Sequence, residues 1–249
     1  MVTNIFSSIR QDIKQVEEML LLSSKGADKN LLLDKWLNVP SLHVVIHPAS
    51  VILAARLFKE EINEQVITLA CTIQYIYLGL CLHQKINENK EMQRTPQKEQ
   101  YAILVGDSFY CQNLALLCRV NLTAYIQLLA EVMGEINLGS ILRLKSQNFF
   151  TEAIQKEAGA LVACACRLGG RVAGATIAQE NILAKFGLKL GTAFGFLKYQ
   201  REKEQIFRYL NKAREDLALL PPEKARDTLS DLIDLLMNQG TKIDQRLVG

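Results

Sequence analysis

Three observations predict an all-α fold, a single large helical bundle of about ten helices. Apolar residues recur at three- and four-residue spacing, as in Ile5, Ile9, Ile13, Val16 and Leu20, and again in Leu229, Leu232, Ile233 and Leu236. That period lines one face of an α-helix. The five prolines, Pro40, Pro48, Pro96, Pro221 and Pro222, fall between periodic segments or at their starts, where a missing amide proton is tolerated. No alternating Val/Ile/Thr-rich run bounded by hairpin residues occurs, so strands are not expected.

The segments follow in order. The first helix is expected near residues 4–23 on its Ile/Val/Leu period, the second near 28–38, and the third near 48–59, opening on Pro48. The fourth, near 61–86, holds the longest apolar run, 69–82. A polar loop at 87–97, rich in Asn, Glu, Lys and Gln and closed by Thr95-Pro96, separates it from a helix near 97–118. Helices near 122–145, 150–169, 178–200, 202–219 and 222–238 complete the chain, the last opening on Pro222. Short links and an unbroken composition predict one domain over residues 1–249. The segment 169–177 is glycine-rich but follows a helix rather than a strand, which excludes a nucleotide-binding fingerprint. Close helix packing is the expected role of Gly169, Gly170 and Gly174.

Composition narrows the function classes. The chain has 249 residues, 49% hydrophobic and 22% charged, with a net charge of +3, which gives no basis for nucleic-acid binding. Arg10, Asp12, Lys14, Glu17 and Glu18 interrupt any signal-peptide core, and the 69–82 run is too short to span a bilayer. A soluble cytoplasmic protein is expected. The six cysteines, at 71, 81, 111, 118, 164 and 166, lack metal-ligand spacing and are expected to be small buried hydrophobes. Asp227, Asp231 and Asp234 share a face, but the leucines between them make a solvated stripe of an amphipathic helix. No Ser-His-Asp, Cys-His or phosphate-loop constellation occurs.

Five landmarks in order carry a family resemblance across residues 40–237. They are Gly106-Asp107 after a helix ending in Leu82-His83, Gly134-Glu135, Lys156, the run Leu190-Gly191-Thr192-Ala193-Phe194, and a closing pattern that includes Leu220-Pro221 and Arg226 with Leu229. The chain resembles the trans-polyprenyl diphosphate synthases, which implies an isoprenoid-synthase-like bundle. In that family, magnesium held between two aspartate clusters stabilises a departing diphosphate. Ligands four residues apart share one helix face.

Those clusters are degenerate here. Gln84, Lys85 and Glu88 fall where the first motif's aspartates would be, and Lys198, Tyr199 and Glu202 fall at the second. Two lysines in ligand positions invert the local charge. The basic site for isopentenyl diphosphate is also reduced: His43-Val44-Val45-Ile46-His47-Pro48 keeps only a proline, and Arg94 alone remains of a later basic pair. Glu157 replaces the threonine that follows the family lysine, here Lys156. Lys85 and Lys198 could grip a diphosphate as point charges, or could be solvated lysines at a mouth that binds nothing. His83 is expected to cap or pack at a helix end.

The resemblance implies a non-catalytic or regulatory subunit of a heteromeric long-chain (hexaprenyl/heptaprenyl-type) synthase, a pseudoenzyme in a heterodimer that serves, for example, quinone side chains. No cofactor is expected on this chain, magnesium being carried by the catalytic partner. Faces bearing Cys111, Leu114, Leu117 and Cys118 and bearing Leu128, Leu129 and Val132 are candidates for the interface or for ordinary core. Two alternatives stay open. One is an atypical active prenyltransferase using Asp107, Glu135, Lys156 and Glu202. The other is a stand-alone isoprenoid-binding protein.

Overall fold

The apolar period sets where helices form, and burial sets which faces turn inward. The computed structural model describes residues 5–23, 41–88, 96–199 and 202–247, with backbone alone at 41, 43, 85–88, 96, 98, 147 and 242–247. A 3-10 turn, Phe6–Ile9, leads into α1, Arg10–Ser23. Then come α2 (Ser41–Arg56), α3 (Glu64–Glu88), α4 (Pro96–Arg119) and α5 (Ile126–Lys145). Next, α6 (Phe150–Ile154) passes through a π-helical turn, Gln155–Gly159, into α7 (Ala160–Val172). Finally come α8 (Ile177–Lys198), α9 (Lys203–Ala218) and α10 (Lys224–Leu247). No strand occurs among the described residues.

Two helices organise the core. α3 packs on α2, α4 and α7, while α8 packs on α7 and α9. Ile52, Leu53, Leu69, Ile73, Ile76, Leu168, Leu183, Phe186 and Phe196 are fully buried between them, each such side chain contributing roughly 1.5–3 kcal/mol of transfer free energy. The helix Glu64–Gln84, at 21 residues, is long and apolar enough to cross a membrane, which corrects the sequence reading of that run as too short. Of its apolar window 78% is buried inside the protein, so the apolarity is that of a core helix.

Glycine makes the tightest helix contacts in the fold. Gly187, Gly191 and Gly195 recur every fourth residue on α8 and share one face. A Cβ on Gly187 would lie 2.5 Å from the Val162 carbonyl oxygen, and one on Gly191 would lie 2.6 Å from that of Ala158. A Cβ on Gly195 would lie 2.6 Å from Ile154 Cγ2. α8 therefore meets the α6–α7 segment almost backbone to backbone. The expected packing role also holds for Gly169, whose Cβ would lie 2.3 Å from the Val51 carbonyl oxygen, and for Gly170 against Leu183. It fails for Gly174, which has no neighbour within 4 Å and a φ of 93°. There the chain needs a left-handed residue: Gly174 N–H donates to the Arg171 carbonyl and Ala175 N–H to that of Gly170 at 2.9 Å, a Schellman stop. Two residues on, Thr176 opens α8 with a capping box, its hydroxyl accepting from Gln179 N while the Gln179 side chain accepts from Thr176 N.

Several boundaries differ from the sequence expectation. α2 begins at Ser41, so Pro48 lies inside a helix rather than at its start. Residues 46–55 are buried without a break, and that burial outweighs the backbone hydrogen bond that Pro48 cannot donate. α7 extends to Val172 and α10 to Leu247. The expected helix at 28–38 lies outside the described residues, as does most of the 87–97 loop. Cys71, Cys164 and Cys166 are buried as expected, and burial pushes the thiols of Cys164 and Cys166 up to about 12. Cys111 and Cys118 are instead exposed, because they lie on the side of α4 turned away from α3. Asp227, Asp231 and Asp234 do form an exposed stripe, with Leu229, Leu232, Ile233 and Leu236 fully buried behind it.

A Gly191→Ala variant should lose about 1–3 kcal/mol of stability, read as a lower urea midpoint, because its methyl would press on a backbone carbonyl. A second expectation concerns acid. Glu180, 5% exposed, accepts from Arg171 Nε at 2.8 Å and faces Arg167 Nε at 3.6 Å. The Arg171 hydrogen bond, partly opposed by desolvation, holds this carboxyl below its ordinary value of 4.5. Its stabilisation is therefore complete above the unfolded-state value and is lost as pH falls through the lower folded value. Glu180→Gln should lower thermal stability at neutral pH and flatten the fall in stability below about pH 4.5.

Candidate functional site

The C-terminal ends of α3 and α8 meet where the two altered motifs fall. Gln84 on α3 and Lys198 at the end of α8 join directly, Lys198 Nζ donating to Gln84 Oε1 at 3.0 Å. Beneath this bridge lies a cavity of about 40 Å³ lined by His47, Tyr77, Cys81, Glu157, Phe194 and Tyr199 among others. Its floor is aromatic. His47, 3% exposed, stacks on Tyr77 with ring centroids 4.0 Å apart and meets the edge of Phe194 at 6.3 Å.

The π turn supplies the charge. Such a turn inserts one extra residue into a helix, and here it presents two neighbouring side chains to different surroundings. Lys156 pairs with Glu135 on α5. Glu157 turns into the cavity, where Tyr199 Oη donates to its Oε2 at 3.1 Å. Arg143, in the last turn of α5, donates from Nε to both carboxylate oxygens, at 3.0 and 3.2 Å, and its guanidinium lies 5.3 Å from the Tyr199 ring centroid. Lys198 Nζ lies 5.5 Å from the same centroid. Arg143, Tyr199 and Glu157 thus close on one another.

This arrangement limits the chemistry. A bound water needs roughly 10–15 Å³ of such space, so a 40 Å³ cavity holds a few waters and not a diphosphate. A magnesium site needs near-octahedral oxygen donors. Among the described residues Glu157 is the one carboxylate lining the cavity, and Arg143 binds both its oxygens. Among the described residues no three His, Cys, Asp or Glu side chains gather into a cation site. The described residues here do not fit magnesium.

The remaining expected positions are dispersed. The side chains of Lys85 and Glu88 lie outside the described residues. Glu202 is exposed at a φ of 54° before α9 and lines a separate open groove with Lys203, Glu204, Gln205 and Phe207. Asp107 Oδ1 lies 3.5 Å from His83 Nε2. His83 packs as expected, though against α4 and more than a turn before α3 ends at Glu88: a Cβ on Gly106 would lie 2.4 Å from its Nε2, and the Tyr110 ring centroid is 5.6 Å away. Gly134 is exposed with open space around it, and Phe194 is buried. Asp107, Glu135, Lys156 and Glu202, the atypical catalytic set, therefore fall in three separate places. The closing pattern is joined: Arg226 Nη1 donates to the Leu220 carbonyl at 3.1 Å. Sequence reasoning missed Arg143 and the inward role of Glu157. An acid beside Lys156 was a visible signal for the second, while nothing in the sequence marked the first.

Comparison with known proteins agrees with this frame. A family model described as polyprenyl synthetase matches residues 35–197. The octaprenyl diphosphate synthase of Escherichia coli (strain K12) is 27% identical over 196 residues, covering 70% of this chain and 60% of that protein. The heptaprenyl diphosphate synthase component 2 of Geobacillus stearothermophilus is 24% identical over 162 residues, 60% of this chain and 50% of the relative. The chain thus spans about three fifths or less of the length of these curated relatives. A crystal structure of a decaprenyl diphosphate synthase from Rhodobacter capsulatus superposes with a TM-score of 0.81 at 17% identity, covering 94% of this chain and 97% of that one. That likeness establishes the all-α isoprenoid-synthase fold.

The cavity contacts should rank by burial. Arg143→Ala leaves the Glu157 carboxylate buried without its cation and should cost about 3 kcal/mol, whereas Tyr199→Phe should cost about 1 kcal/mol. Lys198→Ala, at an exposed hydrogen bond, should cost well under about 1 kcal/mol. Urea unfolding followed by helical circular dichroism measures the order, and a larger loss for Lys198→Ala than for Arg143→Ala would refute it.

Proposed function

This chain belongs to the polyprenyl synthetase family, and we propose that it acts there as a non-catalytic subunit of a heteromeric trans-polyprenyl diphosphate synthase. One observation carries the reading: the place between the altered motifs is narrowed by side chains to a small cavity. Gln84 and Lys198 bridge its mouth, and Arg143 and Tyr199 occupy the carboxylate inside it. The motif-bearing partner would carry the magnesium and elongate the isoprenoid chain, for example toward quinone side chains.

A surface in search of a partner supports the same reading. On α4, Tyr101, Leu104, Leu114, Cys111 and Cys118 are exposed, Leu104 at 67%. On α5, Leu138, Ile141 and Leu144 are exposed, Leu144 at 71%. Large apolar side chains left exposed along a helix are the kind of surface that interaction sites use. The two faces that the sequence offers as interface or core divide accordingly, since Leu117 and Leu129 are core residues and Leu128 and Val132 pack against the core. The relative named as a component of heptaprenyl diphosphate synthase is consistent with a two-part enzyme. The name of the octaprenyl synthase relative favours a second reading, an active enzyme, but the dispersed acids and the small cavity count against it.

The purified chain, given isopentenyl and farnesyl diphosphates with magnesium, should release no prenyl product. Co-expression with a motif-bearing homologue from the same organism should yield a co-purifying complex that makes long-chain product. Turnover by the chain alone would overturn the proposal. In the free chain Cys111 and Cys118 should alkylate rapidly, and the complex should protect them. The buried Cys71, Cys164 and Cys166 should stay unreactive in both.

A further inference from the structure

α4 is held to the rest of the fold chiefly by α3, so the seam between them decides where α4 sits. Two contacts fix the register of this antiparallel pair. At one end Gln65 Nε2 donates to the Val120 carbonyl at 3.2 Å. At the other a Cβ on Gly79 would lie 3.3 Å from the Gly106 carbonyl oxygen, beside Tyr110. The two contacts are separated by the same length of chain on each helix, so the register they set brings Thr72 on α3, midway between them, opposite Asn113 on α4. Thr68, four residues before Thr72, shares its face.

This midpoint is polar in an otherwise apolar seam. Thr68 and Thr72 are fully buried and Asn113 is 2% exposed, among Ile76, Phe109, Leu116 and Leu117. Thr68 Oγ1, Thr72 Oγ1 and Asn113 Oδ1 make no hydrogen bond to the protein. Native cores rarely leave buried polar atoms unpaired, and three within about one turn of one seam call for a shared partner.

We infer that Thr68, Thr72 and Asn113 form a binding site for an ordered water between α3 and α4. Water donates one proton to Asn113 Oδ1 and one to a threonine Oγ1, and accepts from the other threonine hydroxyl. Three hydrogen bonds are what a buried water ordinarily makes. Because the three groups meet around it in one register only, the water also locks α4 against sliding along α3. This inference does not depend on the proposed subunit role.

Oxygen-17 magnetic relaxation dispersion on the full chain tests it, together with a double-mutant cycle. The wild type should show a long-lived internal water that Thr72→Ser keeps and Thr72→Val/Asn113→Leu loses. Each single substitution should lower the unfolding midpoint, and the pair should fall short of their summed effect by at least about fivefold in the unfolding constant. Equal dispersion in the wild type and the double variant, or strict additivity, would overturn the site. Should Asn113→Leu fail to fold, Thr68→Val/Thr72→Val preserves side-chain shape and is read against the same two outcomes.

Discussion

The approach of α8 to the α6–α7 segment is the constraint on which the rest of the structure depends. Gly187, Gly191 and Gly195 remove the side chains that would hold the two helices apart, and interaxial distance follows the residues at the contact. With α8 drawn in, Phe194 reaches the aromatic floor and Lys198 and Tyr199 reach across to α3 and to the π turn. A substitution at Gly187 would therefore disturb the cavity without touching any residue that lines it, whereas one at Gly191 would press on Ala158, which does.

The carboxylate, guanidinium and phenol that meet at the cavity satisfy one another. A family site built for magnesium needs carboxylates kept apart and facing a common point. Here the carboxylate of Glu157 is matched by the Arg143 guanidinium and the Tyr199 hydroxyl, which leaves it no free oxygen to present. Burial then works for closure: the less water reaches this group, the more it costs to separate the carboxylate from its cation.

Much of the fold was legible from periodicity, and the failures have physical causes. Helix α10 was readable because Leu229, Leu232, Ile233 and Leu236 alternate with exposed aspartates. Helix α2 was not, because a helix buried on all sides has no polar stripe to reveal its start and Pro48 pointed to the wrong boundary. Gln84 and Lys198 could be placed at one site through the resemblance, yet their hydrogen bond is a fact of geometry across 114 residues of sequence. Arg143 was invisible for a related reason. An arginine near a helix end reads as a solvated cation, and only the neighbouring π turn makes it the partner of a buried acid.

The junction between α7 and α8 has a further consequence. Gly174 ends one helix and Thr176 begins the next, and the Arg171–Glu180 pair clips the two together nine residues apart. The chain stretch enclosed is short, so the entropy lost in closing it is small. The glycine face of α8 then lies directly over α7 once the turn has formed. This hairpin therefore combines a very short loop with a near backbone-to-backbone contact, and contacts of low sequence separation are those that a folding chain reaches soonest. A stop signal and a start signal two residues apart thus bear on the order in which the protein assembles.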